Sequence, residues 1–163
     1  MEITDCIRET FGAIKRPTLN ELRTALESLP LEKDLSALCG AVPGLLPYGR
    51  RVLCRTDEVE VIAIHIPAGS QTAIHDHGQS AGCARIIEGR LLNVWYELDR
   101  AGYPEPFMAA ALTEGEYMYA PKGQIHQMRN EGEGRVVSLH VYSPPLSGTT
   151  SYRPYLEVLD FVI

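Results

Sequence analysis

Two histidines one residue apart, His75 and His77, are the residues of this sequence best suited to carry chemistry. Side chains alternate along an extended strand, so both imidazoles would leave one face and Asp76 the other. Two neutral imidazoles on one face can share a metal ion, and imidazole suits zinc, iron, copper and nickel. Because short motifs also arise by chance, the pair alone is a weak indication, and its surroundings must decide.

The residues around these histidines follow a fixed spacing. Residues 69–89 read GSQTAIHDHGQSAGCARIIEG, and residues 115–130, GEYMYAPKGQIHQMRN, contain a further histidine, His126. The two segments resemble the consensus motifs of the cupin superfamily, G-x5-H-x-H-x3/4-E-x6-G and G-x5-P-x-G-x2-H-x3-N. This resemblance implies a small antiparallel β-barrel of the jelly-roll kind. It also implies that the metal ligands are His75, His77 and His126.

One position departs from the cupin pattern. Gly82 occupies the place where the superfamily carries a glutamate ligand. A divalent ion held by three neutral histidines keeps its full charge and therefore favours an anionic ligand from the substrate. Three protein ligands also leave coordination positions open, as in catalytic sites. Iron(II) in such a site can hold a substrate and dioxygen side by side, and a thiolate is a suitable anion for it.

The first forty residues are predicted to be helical. Apolar residues recur every three or four positions in two stretches, and the spacing indicates amphipathic helices: Ile3, Ile7, Phe11 and Ile14, then Leu19, Leu22, Leu26 and Leu29. The segment Thr18–Glu21 has the form of a capping box, and Pro30 ends the second helix. A third short helix is expected over Leu31–Leu38. We interpret this block as a helical cover that closes one end of the barrel.

From Tyr48 onward the pattern changes to short strands separated by Gly, Pro, Asp and Asn. The fold class is therefore mainly β, of α+β type. The segment 107–112 is the least certain strand, because its alanines could also begin a helix. The candidate strands are Arg51–Arg55, Val59–Pro67, Cys83–Tyr96, Phe107–Leu112, Glu116–Tyr119, His126–Asn130 and Val136–Ser143.

The strand over residues 136–143 contains a second group of polar residues. Ser138, His140 and Tyr142 alternate with Val137, Leu139 and Val141, so that the polar residues share one face. That face could simply be turned to water, which the alternation alone slightly favours. If it faces the metal cavity, Ser138 can orient His140, and His140 can position the Tyr142 hydroxyl beside a ligand. A buried polar row must be hydrogen-bonded or it destabilises the protein.

Four sequence elements together resemble the cysteine dioxygenases, iron(II) thiol dioxygenases on the cupin fold: YGR at residues 48–50, HDHGQS, the G-x2-H at His126, and SLHVYSPP. The resemblance covers about residues 48–145 and implies oxidation of L-cysteine by dioxygen to cysteine sulfinic acid at Fe(II). It implies catalytic roles for Ser138, His140 and Tyr142. It also implies that Tyr48 and Arg50 bind the substrate carboxylate.

Arg50 suits that role physically. A guanidinium pairs with a carboxylate through two parallel hydrogen bonds, which fix its orientation. Arg51 should point to the opposite strand face. Without the resemblance, two surface arginines would be the simpler interpretation. Relatives that prefer 3-mercaptopropionate have glutamine at this position, so the arginine favours cysteine.

Animal members of the family carry a cysteine that cross-links to the tyrosine matching Tyr142. Counting without gaps, that position is Gly82 here, and its neighbour Cys83 should face away in a regular strand. We therefore expect an unmodified Tyr142. A β-bulge at Gly82 could instead turn Cys83 inward.

Composition limits the remaining function classes. The 163 residues suit one cupin domain, helical over 1–40, with a barrel over 48–145 and a C-terminal extension over 146–163. A net charge of −6 argues against nucleic acid, and no apolar run is long enough to span a membrane. The four cysteines are scattered without pairing spacing and favour a reducing, cytoplasmic compartment. Three of them are expected to be packing residues: Cys6, Cys39 and Cys54. His65 is expected to be structural. A monomer is the default expectation.

Two other functions remain open. The protein could oxidise another thiol, such as 3-mercaptopropionate or a larger aminothiol. It could also be a non-enzymatic metal-binding cupin, although a binding site alone has little need of the polar triad.

Overall fold

The computed structural model describes residues 1–31, 38 and 46–160. Two N-terminal helices, α1 (Ile3–Gly12) and α2 (Leu19–Glu27), precede the strands, and a short helix, α3 (Tyr155–Asp160), follows them. The strands are β1 (Gly49–Arg55), β2 (Glu60–Ile66), β3 (Ile74–His75), β4 (Ala81–Glu88), β5 (Arg90–Leu98), β6 (Pro104–Thr113), β7 (Tyr117–Ala120), β8 (Ile125–Arg129), β9 (Val136–Ser143) and β10 (Ser151–Tyr152).

The strands of the described residues form two five-stranded sheets. The first has the order β1-β2-β9-β4-β7 and the second β10-β3-β8-β5-β6, with antiparallel pairing throughout. Apolar side chains from both sheets meet in one interior cluster that includes Ile64, Ile86 and Met128. The prediction of a mainly β fold with an antiparallel barrel and N-terminal helices is therefore confirmed.

The second helix begins with the capping box that the sequence predicts. The Thr18 backbone N–H donates to a carboxylate oxygen of Glu21 at 2.6 Å, and the Glu21 N–H donates to the Thr18 hydroxyl at 3.2 Å. Two backbone donors that the helix cannot pair internally are satisfied in this way.

The helices cover the outer face of the first sheet. Ile7 and Phe11 of α1 and Leu22 and Leu26 of α2 are buried in one cluster with outward-facing side chains of β2, β4 and β9. The expectation that they close one end of the barrel was wrong, because the apolar stripe of each helix needs a broad apolar surface and this sheet face provides one. The third helix expected over Leu31–Leu38 falls largely outside the described residues.

Besides shifts of one to three residues at most strand ends, two differences from the predicted strands bear on the topology. Cys83–Tyr96 is two strands, β4 and β5, because Gly89 turns the chain with φ +84° where a Cβ would collide with the Arg135 carbonyl oxygen. In the segment expected to be an extension, β10 pairs with β3, so this part of the chain joins the second sheet. The uncertain strand over 107–112 lies within β6, which pairs with β5.

No helix among the described residues is both long enough and apolar enough to cross a membrane.

Candidate metal centre

The three histidines that match the cupin motifs meet at one point inside the barrel. One ring nitrogen from each of His75, His77 and His126 lies within 4.8 Å of the others. His75 of β3 is the register partner of His126 of β8, so the sheet itself brings these two rings together. The position of His77 has a different origin from the one predicted. Strand β3 ends at His75, and His77 lies in the loop that follows.

The hydrogen bonds of these rings leave nitrogen atoms free for a metal. His75 Nδ1 lies 2.8 Å from the Ala73 carbonyl oxygen, and His126 Nδ1 lies 2.7 Å from Asn93 Oδ1. Each Nδ1–H can donate to its oxygen, which leaves the Nε2 lone pair unused. His126 Nε2 and both ring nitrogens of His77 are buried and have no partner among the described residues. Because buried polar atoms are rarely left unpaired, the donor set fits a metal ion.

The surroundings of the rings favour the neutral imidazole that a metal requires. Burial, followed by the nearby His75 ring, lowers the pKa of His77 to about 3. Burial, followed by the other two rings, also lowers the pKa of His126 well below its ordinary value. Burial lowers the pKa of His75 as well. The three rings are therefore neutral near neutral pH, which is the form that can bind a metal ion.

The polar face of β9 points into the same interior. His140 Nε2 lies 2.7 Å from the Ser138 hydroxyl, and His140 Nδ1 lies 3.0 Å from the Tyr142 hydroxyl. All three side chains are buried, so the alternative of a water-facing strand face was wrong. The Tyr142 ring stacks on His77 with 4.8 Å between ring centroids. The row of hydrogen bonds therefore runs from Ser138 through His140 to Tyr142, whose ring contacts the histidine cluster.

Burial affects the protonation of this row. It lowers the pKa of His140 to about 3, and it raises the pKa of Tyr142 well above the ordinary value for a phenol. His140 is therefore neutral and Tyr142 carries its proton near neutral pH.

The Tyr142 ring depends on a glycine in the neighbouring strand. A Cβ at Gly82, the register partner of Tyr142, would collide with that ring. Strand β4 keeps a regular register at this point, and Cys83 packs in the outer cluster with the helices while Tyr142 packs in the inner one. Cys83 therefore faces away from Tyr142, as expected.

A cavity of about 400 Å³ opens beside the histidine cluster. It is lined by His75, His77 and Tyr142, and also by Tyr48 and Arg50. Arg51 is not among the lining residues, in keeping with the expected alternation along β1. The three-histidine cluster, the phenol of Tyr142 and the guanidinium of Arg50 thus adjoin one cavity.

A buried carboxylate that we did not predict stands behind Arg50. The Glu60 side chain is 4% exposed, and its oxygens lie 3.7 Å from Arg50 Nη2 and 2.9 Å from Arg55 Nη1. It also accepts a hydrogen bond from the Leu146 backbone N–H at 2.9 Å. One charged residue within the apolar run VEVIAIHI was the available sequence signal, because buried charges need partners.

Asn93 and Asp76 are further site residues without a predicted role. Asn93 is fully buried and bonds His126, and its only signal was a polar residue in the apolar strand β5. Asp76 points away from the cluster, as expected, but its carboxylate binds the chain beyond β9. Nothing in the local sequence could identify that partner, which lies more than seventy residues later.

Comparison with known proteins agrees with this geometry. The family described as cysteine dioxygenase type I has a model that matches residues 48–154, well over half of the chain. The matched part contains the three histidines, the polar row of β9, Tyr48 and Arg50.

Solved structures with the same architecture include distant proteins. A protein with a double-stranded β-helix domain from Klebsiella pneumoniae is 20% identical with a TM-score of 0.58, over 74% of this chain and 96% of its own. A protein from Thermus thermophilus is 21% identical with a TM-score of 0.56, over 69% and 96%. An oxalate oxidase in complex with glycolate is 13% identical with a TM-score of 0.56, over 81% and 73%. At these identities the similarity shows the cupin fold alone.

Proposed function

Because the chain belongs to the cysteine dioxygenase type I family, we propose that it is an iron(II) thiol dioxygenase whose substrate is L-cysteine. The reaction adds both atoms of one dioxygen molecule to the substrate sulfur and gives cysteine sulfinic acid, with no further reductant. The observation that carries the proposal is one cavity in which three histidines with unused nitrogens adjoin Tyr142 and Arg50.

The three histidines His75, His77 and His126 would hold the iron. When bound, iron(II) would supply open coordination positions for a thiolate and for dioxygen. Asn93 and the Ala73 carbonyl fix two of the imidazoles with Nε2 free, which is the orientation a ligand needs.

Arg50 would bind the substrate carboxylate, with Tyr48 beside it. A charge-assisted hydrogen bond of this kind contributes about 1.5–3 kcal/mol when it is well formed. The carboxylate of Glu60 lies 3.7 Å from Arg50 Nη2 and would help to orient the guanidinium before substrate arrives. Preorganisation of this kind lowers the entropy cost of binding.

Tyr142 would donate a hydrogen bond to the bound substrate or oxygen. If the Ser138 hydroxyl donates to His140 Nε2, then His140 Nδ1–H donates to the Tyr142 oxygen. The Tyr142 hydrogen is then free to point into the cavity. Ile62, Ile64 and Met128 line the cavity as well and limit the water around the reacting groups.

The test is oxygen uptake by protein loaded anaerobically with iron(II). Cysteine, 3-mercaptopropionate and cysteamine are supplied separately, and products are identified by mass. The proposal expects one dioxygen consumed per cysteine and a product heavier by two oxygen atoms. Uptake with another thiol only would keep the chemistry and change the substrate. No uptake with any thiol, in protein that holds one iron, would leave a metal-binding cupin without this activity.

The carboxylate role has a matched pair of variants. Arg50→Gln should raise the KM for cysteine by roughly 10- to 100-fold, because it removes a charge-assisted bond. Arg51→Gln, one residue along β1, should leave the KM unchanged. Equal KM values in both variants would contradict the role of Arg50.

A further inference from the structure

Residues 146–152, which we call the strap, form one wall of the metal cavity. Leu146, Ser147, Gly148, Thr149 and Ser151 all line it. The strap leaves strand β9 after the two prolines and returns to the second sheet, where Ser151 is the register partner of His75. The part of the chain that would contact a bound substrate from this side is therefore a loop held at its two ends.

The strap is attached to the metal-binding loop by Asp76, the residue between two of the histidines. One Asp76 carboxylate oxygen accepts from the Thr150 backbone N–H at 2.9 Å and from the Gly78 N–H at 3.0 Å. The other oxygen accepts from the Tyr152 hydroxyl at 2.7 Å. The Asp76 backbone N–H donates to the Thr150 carbonyl oxygen at 3.0 Å.

The loop and the strap are also in direct contact. Gly78 has φ +59°, and a Cβ there would collide with the Ser147 carbonyl oxygen. The Gly148 carbonyl oxygen would be 3.0 Å from the same added atom. The strap and the loop that carries His77 therefore cannot move independently of each other. Such a movement would break the hydrogen bonds of Asp76 and also the packing of Gly78 against the strap.

We propose that Asp76 is a positioning residue that couples the metal ligands to the strap, so that metal binding orders the substrate-facing wall. A metal ion held by His75 and His77 fixes the backbone on both sides of Asp76. The loop has then already lost conformational entropy, so the hydrogen bonds of the Asp76 carboxylate to Thr150 and Tyr152 form at a smaller further loss. By thermodynamic reciprocity, loosening the strap must weaken metal binding to the same extent.

Two variants weaken the same hydrogen bond from opposite ends. Tyr152→Phe deletes the donor, and Asp76→Asn removes the charge of the acceptor, so that the bond is no longer charge-assisted. Tyr155→Phe is the control, because its ring contacts Tyr103 and lies in α3 beyond the strap. Both test variants are nearly isosteric, and circular dichroism checks that they fold.

The first measurement is iron(II) affinity under anaerobic conditions. Tyr152→Phe should weaken it about fivefold, because it removes one of the hydrogen bonds that join the strap to Asp76. Among the described residues, no side-chain hydrogen bond or ring contact joins Tyr152 to His75, His77 or His126. Asp76→Asn should weaken it by at least as much. The loss of affinity in the double variant should be smaller than the sum of the two single losses, because both changes act on one shared bond. Equal affinities in Tyr152→Phe and Tyr155→Phe would overturn the coupling.

The second measurement is hydrogen exchange at the Thr150 amide. Iron(II) should slow this exchange in the wild type by about tenfold or more, and by less in Tyr152→Phe. Exchange that does not respond to iron(II) would also overturn the coupling. Neither measurement needs turnover, so a failure of the proposed thiol reaction is distinguishable from a failure of this inference.

The substrate arm of the inference rests on the proposed function. With cysteine as substrate, Tyr152→Phe should raise KM while kcat at saturating iron(II) stays near the wild-type value. A fall in kcat with KM unchanged would show that the strap does not position substrate.

Discussion

The two faces of strand β9 are equally buried and have opposite chemistry. On the outer face, Val137, Leu139 and Val141 pack in the apolar cluster that the helices cover. On the inner face, Ser138 and His140 are also at most 1% exposed, yet each is polar and hydrogen-bonded. Burial therefore does not distinguish the faces.

The difference lies in what each face requires of its neighbours. The outer face needs only apolar volume, which many side chains can supply. The inner face needs specific partners, because each unpaired buried polar atom costs about 1–3 kcal/mol. Along this strand, alternate residues therefore pack in the apolar cluster or join the polar row, so substitutions one residue apart should separate effects on stability from effects on the proposed activity.

The largest expected effect is the loss of the metal site, which the inner face adjoins. His126→Ala should weaken metal affinity by well over 100-fold, because even loss of a residue that supports a ligand costs 10- to 100-fold. Thiol-dependent oxygen uptake should fall below detection. Isothermal titration and metal analysis of the purified variant provide the measurement.

His65→Ala is the matched control for this change. His65 lies on β2 and is the register partner of Val137, which belongs to the outer cluster. The His65→Ala variant should bind the metal ion with the same affinity as the wild type. A similar loss of metal in both histidine variants would break the comparison between the faces.

The next largest effect is the response of the metal-free protein to acid. His77 and His140 have folded-state pKa values of about 3, below the value of about 6.5 for an exposed histidine. The unfolded chain therefore takes up protons first as pH falls, and stability that is present above about pH 6.5 is lost below it. Each of these two histidines should lower the free energy of unfolding by about 2 kcal/mol between pH 7 and pH 5.

Urea unfolding at a series of pH values measures this loss. His140→Gln, which carries no titrating ring, should reduce the pH dependence by about the share of one histidine. A pH dependence identical to that of the wild type would show that His140 is not held neutral. On the outer face, burial, opposed by the charge of Arg23, raises the pKa of Cys83 to about 11, so this thiol keeps its proton throughout this range.

Neighbouring substitutions within β9 give the most direct comparison of the two faces. Leu139→Ala should cost about 3 kcal/mol of unfolding free energy, the usual range for a buried leucine, and should leave kcat/KM within about twofold. Ser138→Ala should cost less stability, about 1–2 kcal/mol, but should lower kcat severalfold because His140 Nε2 loses its partner. Denaturant unfolding and steady-state kinetics on both variants test this. Similar changes in kcat for the two would contradict the separation.

Local sequence rules predicted those parts of the fold that local forces determine. The capping box of α2 and the alternation of β9 both depend on residues a few positions apart, and both are present. The clustering of His75, His77 and His126 was also predicted, although for a partly wrong reason. Motif spacing identified His77, while the supposed strand ends at His75, so the loop and not the pleat presents the second ring.

What the sequence could not show are contacts between distant parts of the chain. The strap reaches Asp76 across 74 residues, and Glu60 binds Leu146 across 86. The Glu60 pair follows from the register of β2 against β9 and the Asp76 pair from the register of β3 against β10, and no local pattern determines either. The position of the helices is a similar case: their amphipathic stripes predict burial, but not which surface buries them.

The strand beside β9 repeats the same division at Gly82 and Cys83, and it includes the smallest expected effect, that of Cys83→Ala. Gly82→Ala introduces a methyl group against the Tyr142 ring, and the Val141 carbonyl oxygen, at 3.1 Å from it, is backbone that cannot move aside. The ring must therefore shift from its place on His77, and kcat should fall severalfold with a stability cost of about 1–3 kcal/mol.

Cys83→Ala removes one buried sulfur from the outer cluster, so the free energy of unfolding should fall by about 1 kcal/mol with kcat unchanged. Near-ultraviolet circular dichroism of the tyrosines, read beside kinetics, would follow the ring directly. A wild-type kcat in Gly82→Ala would mean that the exact placement of Tyr142 does not matter, and the inner face would then owe its chemistry to the metal ligands and Arg50 rather than to the polar row of β9.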